Sequence, residues 1–209
     1  MDKLEIDRLL QPFAKLDQER LALTSIYIDL LLKWNARINL TAVRDPREIV
    51  TRHFGESFFV AEILRSYSPA TLIDLGSGAG FPGVPIAMQL PEAQVTLIES
   101  NQKKATFLKE VILALKLRNI VVFNGRAESY RNRASMVTMR AVESFEQALP
   151  VAAALVEQKG QIALMIGESQ VTAAHRFAGE VEWREPIGVP GGHSRILLVG
   201  IKGPKVDLL

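Results

Sequence analysis

Between Thr71 and Gly83 a short apolar run (Leu72, Ile73 and Leu75) carries one carboxylate, Asp74, and leads straight into four glycines within eight residues. An apolar run of this length reads as a buried central strand. Glycines just after it let the backbone turn sharply and let a ligand approach it closely. The stretch from Pro82 to Leu90 can start a helix, whose first N–H groups have no partner within the helix. Strand, glycine turn and helix in that order read as a nucleotide-type cofactor loop on an α/β sheet.

The rest of the chain after Thr71 keeps alternating. A strand is expected at 94–99, a helix at about 101–117, and a strand at 120–123 ending in Phe123-Asn124-Gly125. A strand at about 135–140, a helix at 144–158 and a strand at 161–166 follow. One more helix and a hairpin around Pro190-Gly191-Gly192, returning through Ile196-Leu197-Leu198-Val199, close the chain. Such alternation predicts a parallel sheet covered on both faces, with an antiparallel edge pair from the hairpin. Residues 1–65 read as helical: Leu23, Ile26, Tyr27, Leu30, Leu31 and Trp34 recur at threes and fours, the stripe of an amphipathic helix. That stripe gives out near Asn35 and Asn39, and Asp45-Pro46 reads as an N-cap with proline at the first helical position. The expected organisation is a helical extension over 1–65 and an α/β domain over 66–209, forming one compact unit.

A chain of 209 residues, 48% hydrophobic and 23% charged, is the right size for one α/β domain with an extension. It contains no cysteine, which excludes disulfides, zinc–thiolate centres and cysteine nucleophiles. Nothing in the sequence points to a metal. No apolar run reaches the roughly 20 residues of a membrane helix, and the acidic, amphipathic start Met1-Asp2-Lys3-Leu4-Glu5 is unlike a signal peptide. A cytoplasmic enzyme is expected. The formal charge of +2 does not demand a nucleic-acid partner but leaves room for a local basic patch.

In open α/β sheets ligands bind beyond the C-terminal ends of the strands. Those ends carry Asp74-Leu75-Gly76, Glu99, Arg126-Ala127-Glu128 and Met139-Arg140-Ala141. Two cofactors compete for the loop. Read from Gly78 it is Gly-Ala-Gly-Phe-Pro-Gly, a formal dinucleotide fingerprint. Read from Asp74 it is Asp-Leu-Gly-Ser-Gly-Ala-Gly, the D-x-G-x-G-x-G loop of S-adenosylmethionine-dependent methyltransferases. Position favours the second. A pyrophosphate needs free N–H groups at the helix start, and Pro82 and Pro85 remove two of them. Glu99, at the end of the second strand, is placed where an acid meets a ribose hydroxyl pair. An NAD(P)-binding oxidoreductase stays open at this point, as does a non-catalytic RNA- or ribosome-binding protein.

The chain resembles the bacterial RsmG (GidB) methyltransferases over nearly its whole length. The residues carrying the likeness are Lys33-Trp34-Asn35, Asn39 to Pro46, Arg52-His53, the Asp74-to-Gly83 loop with its Phe-Pro-Gly ending, and Arg140-Ala141. The N-terminal set is far more specific than the glycine loop, which many methyltransferases share. The resemblance implies a Rossmann-like fold with a mostly parallel seven-stranded sheet, an antiparallel C-terminal hairpin and an N-terminal helical extension. It implies S-adenosyl-L-methionine as cofactor and N7 of a guanine in 16S ribosomal RNA, free or in the 30S subunit, as target of a monomeric enzyme. Carried over by position, Gly76 and Gly78 would pass under the cofactor and Glu99 would take the ribose. Phe81, Ala127 and Glu128 would line its adenine and methionine, and Arg140 would sit between cofactor and substrate. Removing Arg140 should then cut turnover far more than it alters folding. Glu56 stands where the family pattern R-H-x-x-D-S carries Asp, Met139 where a serine is common, and no lysine occurs within 163–167. His53 is expected to bond Glu56 or a backbone carbonyl, or to touch RNA. Arg37, Arg44, Arg47, Arg52, Lys103, Lys104, Arg131 and Arg133 are candidates for a phosphate-binding surface. A methyltransferase acting on another substrate is the nearest alternative.

Overall fold

A computed structural model describes residues 1–141, 144–177 and 181–203. The N-terminal segment folds into α1 (Lys3–Leu10), α2 (Gln18–Asn35), α3 (Pro46–Ile49), six π-helical residues (Val50–Gly55) and α4 (Glu56–Arg65). Short polar side chains start these helices by accepting from N–H groups that the helix cannot pair. Asp17 accepts from Arg20 N at 2.7 Å, and Asp45 accepts from Arg47 N at 2.7 Å and Glu48 N at 3.1 Å. The Asp45-Pro46 cap falls where the sequence predicts it. The helix that follows is not uniform: its turns widen over Val50–Gly55 before tightening again.

The sheet holds β1 (Thr71–Leu75), β2 (Gln94–Glu99), β3 (Ile120–Asn124), β4 (Ala134–Arg140), β5 (Val156–Gly167), β6 (Val181–Trp183), β7 (Ile187–Gly188) and β8 (Arg195–Lys202). Its order is β3-β2-β1-β4-β5-β8-β6, with β7 pairing β8 off this path. The first five strands are parallel, and β8 runs antiparallel to β5, β6 and β7. The seven strands expected form the main path, and two-residue β7 makes an eighth. α5 (Gly83–Gln89), α6 (Gln102–Leu115), α7 (Phe145–Leu155) and α8 (Val171–Phe177) complete the fold. One boundary differs from expectation: the helix after β4 stops at Leu155 and β5 begins at Val156, well before 161. Its first residue pairs with Ala134 and the ladder resumes at Met136 and Gln161 across an irregular register, so the polar Glu157-Gln158-Lys159 stretch lies in a bulge, with Lys159 at φ 63°.

Alternate residues of each strand face opposite layers. Leu72, Val95, Leu97, Met136 and Leu197 join one core with the N-terminal helices, α5 and α6. Ile73, Leu75, Ile98, Val137 and Leu164 join a second core with α7 and α8. The N-terminal helices contribute Tyr27, Phe54 and Phe58, all fully buried, to the first core. Burying each such ring is worth about 2–3 kcal/mol, which binds the extension to the sheet.

Candidate active site

The turn after β1 is built by its glycines and pinned from both sides. Gly76, Gly78 and Gly80 all have positive φ, at 69°, 57° and 91°, a conformation costly for residues with a Cβ. At Gly80 a Cβ would also run into the Tyr27 hydroxyl and Val84. Gly76 N and Ser77 N donate to Ile98 O at 3.0 and 3.1 Å. Gly78 N donates to one oxygen of Glu99 at 2.9 Å, while the other accepts from Asn101 N at 2.7 Å. From the opposite side the Tyr27 hydroxyl donates to Ala79 O. The loop is thus held by β2 on one flank and by α2 on the other.

Asp74 does not face the loop's outer surface. Strand alternation turns it with Leu72 into the first core, where Thr138 Oγ1 donates to Oδ1 at 2.8 Å and Gly83 N donates to Oδ2 at 3.2 Å. Burial pushes its pKa up to about 6, although those hydrogen bonds pull the other way. Asp74 therefore shapes the start of α5, and it is Leu75 and Gly76 that face outward. A Cβ on Gly83 would press on Leu97 and Asp74, which explains the glycine there: α5 approaches the sheet too closely for a side chain.

Beyond the ends of β1, β2 and β3 lies an open cleft of about 410 Å3, within the size range of small-molecule and cofactor sites. Leu75, Gly76 and Ile98 form its floor, Ala127 and Glu128 one side and Gln147 and Ala148 of α7 the other. Of the residues singled out by sequence, Gly76, Ala127 and Glu128 line this cleft. Glu99 lies between the lining residues Ile98 and Ser100. Gly78 sits one step further back on the Glu99 carboxylate. Phe81 turns its ring inward, stacked between His53 at 5.1 Å and Tyr27 at 5.4 Å, so it supports the loop through the aromatic core.

Arg140, at the end of β4, meets the N-terminal helices. Its Nη2 donates to Arg52 O, at 2.6 Å, and to Glu56 Oε2, at 3.2 Å, and lies 3.3 Å from His53 Nδ1. The acid partner that an arginine ending an apolar strand requires is therefore Glu56, whose side chain is 3% exposed. The imidazole is not bonded to Glu56, as sequence suggested; its Nε2 is 2.7 Å from Thr41 Oγ1. Burial, with Arg140 and Arg52 nearby, pulls its pKa down to about 3. The ring is neutral at pH 7, and because Arg140 can only donate, Nδ1 accepts and Nε2 carries the proton toward Thr41. Thr41 is placed in turn by Asn35, whose Oδ1 accepts from Leu40 N at 2.9 Å and Thr41 N at 3.0 Å. Asn35, Thr41 and His53, 6 and 12 residues apart, join Arg140, 87 residues further on, in one hydrogen-bonded path to the strand ends.

Two residues of the site carry no local signal in the sequence. Arg195, at the start of β8, brings its Nε to 2.7 Å from Glu56 Oε1. Tyr27 reads in sequence only as one apolar position of a helix stripe, and its hydroxyl holds the glycine loop. No motif marks either; pairing of β8 with β5 places Arg195 beside Gly167. The candidate phosphate-binding residues divide. Arg47 pairs with Glu5 at 3.0 Å and Arg52 with Glu48 at 2.7 Å, while Arg37, Lys103, Arg131 and Arg133 are exposed.

A glycine loop after β1, an acid at the end of β2 and a cleft over the strand ends define a Rossmann-like methyltransferase that uses S-adenosylmethionine. Solved structures agree on the fold. A putative O-methyltransferase from Klebsiella pneumoniae superposes with TM-score 0.63 at 13% identity, covering 95% of this chain and 96% of that one. The O-methyltransferase from Bacillus cereus, solved in complex with S-adenosylhomocysteine, gives 0.59 at 15% identity over 85% and 91%. The GidB family model, rRNA small subunit methyltransferase G, matches residues 20–186. Ribosomal RNA small subunit methyltransferase G of Roseiflexus castenholzii is 38% identical over 201 residues, 90% of this chain and 86% of that protein. The chain belongs to the GidB family of small-subunit rRNA methyltransferases.

Proposed function

We propose that this protein transfers a methyl group from S-adenosylmethionine to N7 of one guanine in 16S ribosomal RNA, acting as a monomer in the cytoplasm. The observation that carries the reading is the path from Asn35 through Thr41 and His53 to Arg140. The residues peculiar to the family do not scatter over the surface; they converge beside the cofactor cleft.

The cleft suits the cofactor. Its exposed Gly76 leaves the backbone open to close approach, Ala127 and the apolar floor suit an adenine, and Glu99 keeps lone pairs for ribose hydroxyls beyond its two amide bonds. Bound there, S-adenosylmethionine supplies an electrophilic methyl, whose bond to sulfur breaks with its electron pair left on sulfur. Guanine N7 offers an in-plane lone pair and carries no proton, so no general base is required. What remains for the protein is alignment and stabilisation of the charge that appears on the base. The residues at the site suit those two roles. Asp74 is locked in the core, and His53 is held neutral by burial. Arg140, anchored on three sides, is a fixed hydrogen-bond donor for alignment, and the Glu56 carboxylate paired with it has the sign that stabilises a cationic base.

Two measurements test the reading. S-adenosylhomocysteine should bind in a calorimetric titration and NAD(P) should not; the reverse would make the protein an oxidoreductase. The purified enzyme, offered unmodified 16S rRNA both naked and within 30S subunits, should label one guanine in at least one of them. Failure on both would reject the proposal.

A further inference from the structure

The sheet ends on one side at β3, which pairs with β2 and, among the described residues, with no other strand. Val95 N donates to Asn119 O at 2.8 Å, and Gly125 N donates to Glu99 O at 3.1 Å. Main-chain groups alternate in direction along a strand, so Ile120 and Val122 turn their N–H and C=O away from the sheet. Native edge strands are usually blunted by lysine, by proline or by a bulge. β3, with the sequence Ile-Val-Val-Phe-Asn and an unbroken register, has none of these. A groove of about 520 Å3 runs between this edge and α6. Leu113 of α6 and Val121 of β3 line it and are 79% and 60% exposed.

The charges along the groove have one sign. Lys109, Lys116 and Arg118 line it, and among the described residues no acid does. None of the three cations forms an ion pair among the described residues. Glu110, the acid of α6, instead accepts from Trp34 Nε1 at 3.0 Å.

We infer that this groove docks an extended, acidic segment of another protein, which adds a strand to β3. The outward amides and carbonyls of Ile120 and Val122 pair with the main chain of the segment. Its apolar side chains cover Leu113 and Val121, and its carboxylates meet Lys109, Lys116 and Arg118. A phosphate backbone matches the cations but brings no row of amide donors for the carbonyls of the edge. A second copy of this chain is disfavoured, because β3 laid against β3 brings the same cations of both copies together. The groove and the cofactor cleft share no lining residue. Docking is therefore independent of the methyl transfer, and the segment can stay bound while the cleft works.

The probe is a fluorescein-labelled peptide, Glu-Val-Glu-Val-Glu-Val-Glu, titrated into the full-length protein and read by fluorescence anisotropy. The same peptide with lysine for glutamate and a labelled heptauridylate are titrated beside it. The acidic peptide should bind saturably, and the lysine peptide at least about tenfold more weakly. Amide hydrogen exchange followed by NMR should slow about tenfold or more at Ile120 and Val122 when the acidic peptide is bound. Exchange at Val121, whose amide already faces β2, should change little. Lys116→Glu/Arg118→Glu should weaken peptide binding about tenfold or more and leave S-adenosylhomocysteine affinity unchanged. If that variant does not fold, the peptide series and the exchange pattern of the wild-type protein decide. Absent binding of the acidic peptide, equal binding of both peptides, or unchanged exchange at Ile120 and Val122 would overturn the inference. A heptauridylate that binds more tightly than the acidic peptide would make the groove an RNA contact and overturn it as well.

Discussion

Tyr27→Phe isolates the claim that the N-terminal helices hold the cofactor loop. The tyrosine is fully buried, and burial drives its hydroxyl pKa well above the usual value, so it is a neutral donor to Ala79 O. Phenylalanine keeps the stacking on Phe81 and the edge contact with Phe54, at centroid distances of 5.4 and 4.9 Å. Only one hydrogen bond is lost, and the Ala79 carbonyl is left in a buried loop without that donor. Such a loss costs about 1–3 kcal/mol. For a domain of this size each kcal/mol moves Tm by about 2–4 °C, so differential scanning calorimetry should show a fall of roughly 2–12 °C. Because the freed group belongs to the turn that carries Gly78 and Gly80, the binding-competent loop is populated less, and apparent affinity falls in proportion. S-adenosylhomocysteine should bind severalfold more weakly, with a ceiling of about a hundredfold set by the same free energy. A Tm within about 1 °C of wild type would refute the hydrogen bond; a lowered Tm with unchanged affinity would refute the link from α2 to the loop.

Arg140→Ala should damage folding as well as turnover, contrary to the expectation from sequence. It leaves Glu56, 3% exposed, with only Arg195 as a partner, and breaking a buried pair costs about 3–5 kcal/mol; urea unfolding of the single variant and of Arg140→Ala/Glu56→Ala should show the double losing less than the sum of the singles. His53→Asn should change the pH dependence of stability. The native imidazole stays neutral down to about pH 3, whereas the unfolded one protonates near 6.5, so below pH 6.5 the unfolded state binds the extra proton and the wild type loses about 1.4 kcal/mol per pH unit from this group. Asp74 acts oppositely: its native pKa of about 6 contributes stability present below the unfolded pKa and lost as pH rises to 6. In His53→Asn only the Asp74 effect remains of this pair, so the wild-type advantage in unfolding free energy should shrink steadily between pH 6.5 and 4.5; a constant difference would count against the buried neutral histidine. A chain beginning at residue 66 should not fold, because Leu72, Val84 and Phe107 share one core with Tyr27, Phe54 and Phe58. Full-length protein should accordingly unfold in one transition, and two separate transitions would contradict the single unit.

What the sequence disclosed followed from local chemistry. Asp45-Pro46 caps a helix through its own carboxylate, and Thr71–Leu75 and Gln94–Glu99 are apolar enough to be strands wherever they sit. What it concealed depends on neighbours distant in the chain. Glu157 to Lys159 fall in a bulge because β4 pairs with Val156 before them and with Gln161 after them, and the direction of Asp74 depends on which face of β1 each core covers. Arg52, Glu56, Arg140 and Arg195 are brought together by the N-terminal helices and two strands far apart in the chain. His53 meets Arg140 for the same reason. The residues of the family likeness could be recognised in order, but their joining into one path is a property of the packed chain.

N7-methylation weakens the glycosidic bond of guanosine, so borohydride reduction followed by aniline cuts RNA at that nucleotide and nowhere else. Incubating the enzyme and S-adenosylmethionine with 30S subunits lacking the modification, then treating the extracted 16S rRNA this way, tests the site and the atom of methylation in one experiment. One new cleavage at a guanine is expected, matched mole for mole by methyl incorporated. Methyl incorporation without cleavage, or cleavage at many guanines, would contradict methylation of a single guanine at N7.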